Sequence, residues 1–236
     1  MSAHIHDGTI TVEVYADIVC PWCYIGKRRL DRALEALPEG ADVRVVHRPF
    51  QLDPGAPRRG TLARDYLSEQ LGPRAEAVLA HTTRLAASEG IAMDFGRALI
   101  GNTFDAHRVL WLAGNSGSQA AVKERVFAAY FTQGLDITRP EVLAAAAAPD
   151  LDPERVLTVL AGSEGVPEVT AQLTAARASG IRSVPSVTID GGPAIEGALE
   201  TSVLLDALER AHRESAARVE RSAAGDGTPT GGGGRT

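Results

Sequence analysis

The sequence predicts an α/β fold made of two separated halves, a βαβ unit near one end and an αββα unit near the other. Three observations carry that prediction. Alternating apolar runs that read as strands fall near residues 10–48 and again near 184–196. Between them lies a block of roughly a hundred residues with helical periodicity and no convincing strand. The only two cysteines in 236 residues, Cys20 and Cys23, enclose Pro21-Trp22 between the first strand and the first helix.

The elements follow in order. Residues 9–17 form a strand, with Ile10, Val12 and Val14 alternating with Thr11, Glu13 and Tyr15. From Cys23 to Leu37, Leu30, Ala33, Leu34 and Leu37 share one helical face, and Lys27, Arg28, Arg29 and Arg32 fall mostly on the other. Pro38-Glu39-Gly40 stops that helix, and residues 41–48 give a second strand. After a Pro/Gly-rich loop, short helices run from about Thr61 to about Gly165, several closed by glycine and two opened by Pro140 and Pro153, with Asp152 as an N-cap. A helix over 167–179, closed by Gly180, then leads to a strand running from Ile181 to the 190–192 turn and entered through Pro185. The Asp190-Gly191-Gly192 turn gives that strand an antiparallel partner at 193–197, and a last helix carries Val203, Leu204, Ala207, Leu208 and Ala211. Without the helical block the order is βαβ-α-ββα with Cys-X-X-Cys opening the first helix, which is the thioredoxin arrangement. The expected boundaries are 9–56 and 166–215 for the thioredoxin-fold domain, 57–165 for an inserted helical domain and 218–236 for a disordered tail.

Composition excludes several classes. At 44% hydrophobic the chain has ample core material, and a formal net charge of −6 gives no reason to expect nucleic acid. No stretch approaches the roughly 20 continuous apolar residues of a membrane span, so no membrane partner is expected. The first eight residues lack the basic and apolar regions of a secretory signal, which points to a cytoplasmic protein. In a reducing cytosol a cysteine pair is catalytic, redox-active or metal-binding rather than structural. A zinc site would need two more ligands, and the six histidines show no H-x₃₋₅-H pair. No metal and no cofactor beyond the redox-active disulfide itself is expected.

A thiol at a helix N-terminus meets unpaired backbone N–H groups and the positive end of the helix dipole, both of which favour thiolate. Asp17, at the end of a buried strand, is a candidate proton relay for Cys23; the alternative is a turn residue bonded to backbone.

The chain resembles the DsbA family of thioredoxin-fold proteins, and within it the FrnE-like branch of cytosolic thiol–disulfide oxidoreductases and isomerases. The resemblance rests on an ordered set of motifs between about residues 10 and 210. These are Asp17-Ile18-Val19-Cys20-Pro21-Trp22-Cys23-Tyr24-Ile25-Gly26, Arg48-Pro49-Phe50-Gln51-Leu52-Asp53-Pro54, Asn102-Thr103-Phe104-Asp105-Ala106-His107-Arg108, Ala129-Tyr130-Phe131 and Gly180-Ile181-Arg182-Ser183-Val184-Pro185. Ser183 departs from the glycine usual before Val-Pro in the branch. The resemblance implies that Cys20 is the attacking thiol and the more exposed of the two, that Cys23 resolves the mixed disulfide, and that the Val184–Pro185 bond is cis and faces the thiols. It further implies substrate contacts from Pro21, Trp22, Val184, Asn102 and His107. Trp22 cannot stabilise a thiolate with positive charge, as a histidine between the cysteines does in strongly oxidising relatives, so a less oxidising pair is expected. Trp22, Tyr24, Phe50, Phe104 and Trp111 are candidates for an apolar groove, with core packing preferred for the last two.

Expected partners are protein or small-molecule disulfides and dithiols, with glutathione as a candidate co-substrate and the thioredoxin system as a candidate reductant. The alternative function is a glutathione-dependent isomerase or transferase, related to 2-hydroxychromene-2-carboxylate isomerase and the kappa-class glutathione transferases, which share the layout but typically carry serine at the place of Cys20. A holdase surface on the helical block is a third reading.

Overall fold

A computed structural model of the chain describes residues 8–225. Four strands form a mixed sheet in the order β2-β1-β5-β6: β1 (Ile10–Ala16), β2 (Val43–Pro49), β5 (Ser186–Ile189) and β6 (Ile195–Glu196). β1 and β2 are parallel, with Val14 opposite His47 and Ala16 opposite Pro49. β1 and β5 are antiparallel, with Val14 opposite Val187, and β5 pairs antiparallel with β6. This is the thioredoxin fold that the order of elements predicts.

Alternation along β1 sorts the sheet's two faces. Ile10, Val12 and Val14 pack with Leu30 and Ala33 of α1 (Pro21–Glu35) and with Leu204, Leu208 and Ala211 of α9 (Thr201–Gly225). Tyr15 turns the other way, toward Phe50, Ala176 and Ile181, where α8 (Val166–Ala178) covers β2.

Between β2 and α8 run α2 (Ala63–Leu71), α3 (Ala75–Ser88), α4 (Phe104–Gly114), α5 (Gln119–Phe127), α6 (Pro140–Ala147) and α7 (Pro153–Ala161). Asp152 caps α7 as expected, accepting from Glu154 N–H. A π-helical turn over Ala128–Thr132 extends α5. The wider turn lets the consecutive residues Tyr130 and Phe131 both point inward, their rings edge to face at 4.5 Å. One continuous core joins this helical block to Ala16, Ile18, Cys20, Cys23, Tyr24 and Ile25, so the helices pack directly on the end of the sheet that carries the thiols.

Three expectations need correction. The helical block is not free of strands: β3 (Thr61–Leu62) pairs antiparallel with β4 (Leu99–Ile100). Two residues a side leave no periodicity to read. The strand expected from Ile181 begins only at Ser186, because the chain before Pro185 folds over α1 instead of joining the sheet. The last helix runs to Gly225, so 218–225 belong to it rather than to a tail. Alanine, arginine and glutamate in that stretch are strong helix formers. The remainder of the expected tail, 226–236, and His4 and His6 lie outside the described residues. Among the described residues two X-Pro bonds are cis, Val184–Pro185, as expected, and Ala148–Pro149.

Candidate active site

Cys20 ends the turn after β1 and is the N-cap of α1, its backbone extended at φ −87° and ψ 111°. Pro21 takes the first helical position, where its missing N–H matters least. No side chain caps this end, so Cys20 is left beside the free N–H groups and positive pole of α1. Cys23 follows one turn on, its N–H bonded to the Cys20 carbonyl at 3.1 Å. Both cysteines are free thiols, and both are buried: Cys20 is 3% exposed and Cys23 2%. The expected greater exposure of Cys20 is thus absent. Val184 arches over it, with the Cys20 thiol 3.7 Å from the Val184 carbonyl oxygen, and Val19, Trp22 and Val184 pack against the core that contains the pair.

Pro185 is buried and rests on α1 at Gly26, where an added Cβ would come within 3.1 Å of its Cγ. Ser183, the departure from the motif, donates its hydroxyl to Glu196 of β6 at 2.9 Å and leaves the Val184–Pro185 turn in place over the thiols.

Beneath the thiols lie ionisable groups. Burial pushes the Cys23 thiol up, and the Cys20 sulfur adds to that; the Asp17 N–H and Lys123 act the other way. The Asp17 carboxylate is itself occupied, accepting from Ile18 N–H at 2.8 Å and from Leu52 N–H at 2.7 Å. It thereby ties the turn before the thiols to the loop after β2. His107 lies beside it on α4, with Nε2 2.9 Å from the Phe50 carbonyl oxygen and 3.4 Å from Asp17 Oδ1. Asn102 fastens the neighbouring loops: it donates to the Pro54 carbonyl at 2.9 Å and accepts from Phe104 N–H and Gln51. Asp17 and His107 are thus brought together, while Asn102 is committed to its neighbouring loops. Of the aromatic candidates, Trp22 is half-buried at the thiols. Tyr24 and Phe50 are core residues, Tyr24 stacking on Phe127 at 4.8 Å.

Sequence reasoning missed two residues here. Lys123 of α5 is buried, its Nζ 3.0 Å from Nδ1 of His47 on β2 and above the ring of Phe127. Burial, more than any neighbour, lowers its pKa to about 8. Burial, then Lys123 and Lys27, hold His47 well below the usual histidine range. The available signal was position: Lys123 falls on the apolar stripe of its helix, beside Val122 and one turn before Phe127. The second is Gly26, quoted in the motif with no role attached. A small cavity, about the size of one water molecule, opens beside Lys123 and is bordered by His47, Arg48, His107, Gln119 and Gln172. Among the described residues no group of three or more His, Cys, Asp or Glu is placed to hold a metal ion, and no helix is long and apolar enough to cross a membrane.

A mixed sheet with a Cys-X-X-Cys pair opening its first helix, and a cis proline above the pair, defines a thioredoxin-fold protein of the thiol–disulfide class. The chain belongs to the DSBA-like thioredoxin domain family, whose model matches residues 11–209. A probable DsbA oxidoreductase of Streptomyces coelicolor is 32% identical, with a TM-score of 0.80 over 94% of this chain and 93% of that one. Two more distant structures share the fold. A 2-hydroxychromene-2-carboxylate isomerase is 16% identical with a TM-score of 0.63, over 87% of this chain and 98% of the other. The cytosolic disulfide reductase DsbM of Pseudomonas aeruginosa is 20% identical with a TM-score of 0.57, over 89% and 98%; its structure with GSH is also known. The uncharacterized protein YwbO of Bacillus subtilis (strain 168) is 41% identical over 46 residues, a stretch that spans 20% of this chain and 21% of YwbO.

Proposed function

We propose that this protein is a cytoplasmic thiol–disulfide oxidoreductase of the FrnE-like branch, working as a reductase or isomerase. The observation that carries the reading is the placement of Cys20 at the open N-terminus of α1, under the Val184 carbonyl and one turn from Cys23. The Cys20 thiolate attacks one sulfur of a substrate disulfide; a Cys20–substrate bond forms and the other substrate sulfur leaves as thiolate. The Cys23 thiolate then attacks Cys20, the Cys20–Cys23 disulfide forms, and the substrate departs with two electrons. Glutathione or a thioredoxin-type dithiol returns those electrons to the protein. For isomerisation the substrate's own second thiol resolves the intermediate.

The burial of Cys20 favours slender substrates. With Cys20 3% exposed under the Val184 carbonyl, glutathione disulfide or an extended peptide laid against the Val184 backbone fits the approach better than a disulfide on a folded surface. In this reading Pro21 and Trp22 flank that path, His107 and Asp17 hold the floor beneath the thiols, and Asn102 acts through the loops rather than on substrate.

The test is the reduction of glutathione disulfide and of an unfolded disulfide-bonded peptide by the intact chain and its single-cysteine variants. Cys20→Ser is expected to abolish both activities. Cys23→Ser is expected to accumulate a mixed disulfide visible by mass. Undiminished reduction by Cys20→Ser would refute the reading. Turnover of a small electrophile with glutathione by Cys23→Ser, without disulfide exchange, would replace it with the transferase alternative.

A further inference from the structure

We propose that Ser183 and Glu196 are a specificity-determining pair, whose hydrogen bond holds Val184 over Cys20 and keeps that thiol to slender disulfides. The inference rests on the thiol–disulfide reading and deepens it by naming what sets the size of the substrate. Cys20 is 3% exposed, so a substrate sulfur reaches it only when part of its cover moves aside. Val184 belongs to that cover, its carbonyl oxygen 3.7 Å from Cys20 Sγ. The bonds that hold the chain on either side of Val184 therefore decide how wide the approach to Cys20 opens.

The two sides are held differently. After Val184, Pro185 packs on Gly26 of α1, and its carbonyl accepts from Gly197 N–H at 2.8 Å. Ser186 then enters β5, where it stands opposite Glu196 of β6. Backbone bonds and close packing thus fix this side. Before Val184 the chain joins no ladder: among the described residues, the N–H groups of Arg182, Ser183 and Val184 donate to no other residue. The nearest backbone tie upstream is at Ile181, whose N–H is bonded to the Ala176 carbonyl at 3.1 Å. Between that tie and Val184, Ser183 makes the holding bonds. Its carbonyl accepts from the Ser186 hydroxyl at 2.7 Å, a bond inside the turn. Its own hydroxyl donates to Glu196 Oε2 at 2.9 Å and ties the turn to the edge strand of the sheet.

The Ser183–Glu196 bond joins two exposed side chains, so it opens and re-forms without unfolding its surroundings. Its loss frees the chain before Val184 while the chain after Val184 stays fixed. A slender disulfide needs little of that movement, whereas a bulky one needs Val184 displaced. Breaking the bond shifts the balance between covered and uncovered Cys20 by what one net hydrogen bond contributes, about fivefold.

Alkylation of Cys20 tests this in a Cys23→Ser parent, where a single thiol reports. The reagents are iodoacetamide, which is slender, and fluorescein-5-maleimide, which is bulky; the readout is the rate of each variant relative to the parent for each reagent. Ser183→Ala and Glu196→Ala are each expected to raise the bulky rate about fivefold and to leave the slender rate within about twofold. The double variant is expected to gain no more than either single one, because both remove the same bond. Glu196→Gln, which keeps an acceptor for the Ser183 hydroxyl, is expected to stay near the parent. Equal acceleration of both reagents, acceleration of neither, or gains that add in the double variant would overturn the proposal. Failure of the intact chain to reduce glutathione disulfide would instead remove the thiol–disulfide reading, which the alkylation rates do not depend on.

Discussion

Gly26 and Pro185 are in contact across the active site: a Cβ on Gly26 would stand 3.1 Å from Cγ of Pro185. The helix that carries the thiols and the turn that covers them are therefore spaced by a hydrogen atom. Gly26→Ala sets two effects against each other. Alanine is favoured over glycine inside a helix by about 1 kcal/mol. The added methyl group displaces Pro185, and Val184 with it, by a few tenths of an ångström. Thermal unfolding is expected to change by no more than about 1 kcal/mol, while disulfide reduction falls roughly tenfold, since small misplacements of reacting groups are costly. Unchanged activity in a stable Gly26→Ala protein would show that this contact does not position the turn.

What the sequence made legible was whatever is local. β1 shows its alternation within seven residues, and Cys20 to Gly26 announce a helix opened by two thiols. The Asp190-Gly191-Gly192 turn reveals its hairpin for the same reason. Contacts between distant segments were hidden. Lys123 and His47 meet across 76 residues, and β3 pairs with β4 across nearly forty, with two residues each. The burial of Cys20 is likewise not a property of its neighbours in sequence, since its cover includes Val184. The helix through 218–225 is different, because the helix-forming residues were visible and the small, polar composition outweighed them in the reading.

Arg108, part of the motif around His107, is a structural residue. Its guanidinium is buried and donates to the carbonyls of Val159, Leu160, Gly162 and Glu164, where α7 ends, and to Asp105 at 2.8 Å. Most of these lie at the C-terminus of α7 and in the loop after it, where carbonyls lack helical donors, and a cation suits that end of the dipole. Arg108→Met would strand several of them in the core. Urea unfolding is expected to show a loss of about 3–5 kcal/mol, and Arg108→Lys to recover little, since an ammonium cannot span so many acceptors. Activity per folded molecule should stay within about twofold of wild type. A loss below about 1 kcal/mol would contradict this assignment.

Gly165, the N-cap of α8, fixes the other side of the same corner. Its φ of +77° suits glycine, and a Cβ there would lie 2.7 Å from Cε3 of Trp111. Strain and clash add at this position. Gly165→Ala is expected to destabilise by about 2 kcal/mol or more, with the loss relieved in part by Trp111→Leu, which removes the clash but not the strain. A double-mutant cycle on unfolding free energies measures that coupling; strict additivity would place the clash elsewhere.

Lys123 leaves a signature in the pH dependence of stability. Its pKa falls from 10.5 to about 8 on folding, chiefly through burial. Below pH 8 both folded and unfolded chains carry the proton, and the folded state bears the whole penalty of a buried ammonium. Between pH 8 and pH 10.5 the folded chain sheds the proton while the unfolded chain keeps it, so the penalty shrinks as pH rises. Lys123→Met removes it. The variant's gain over wild type from this source is about 3 kcal/mol at pH 7 and about 1 kcal/mol near pH 10, less about 1 kcal/mol at either pH for the lost bond to His47. Paired denaturant titrations at the two pH values check this, with the difference between the proteins as the readout so that the other titrating groups largely cancel. A gain that stays level with pH, or a variant less stable than wild type at pH 7, would mean that Lys123 is held in the core by interactions stronger than the single bond to His47.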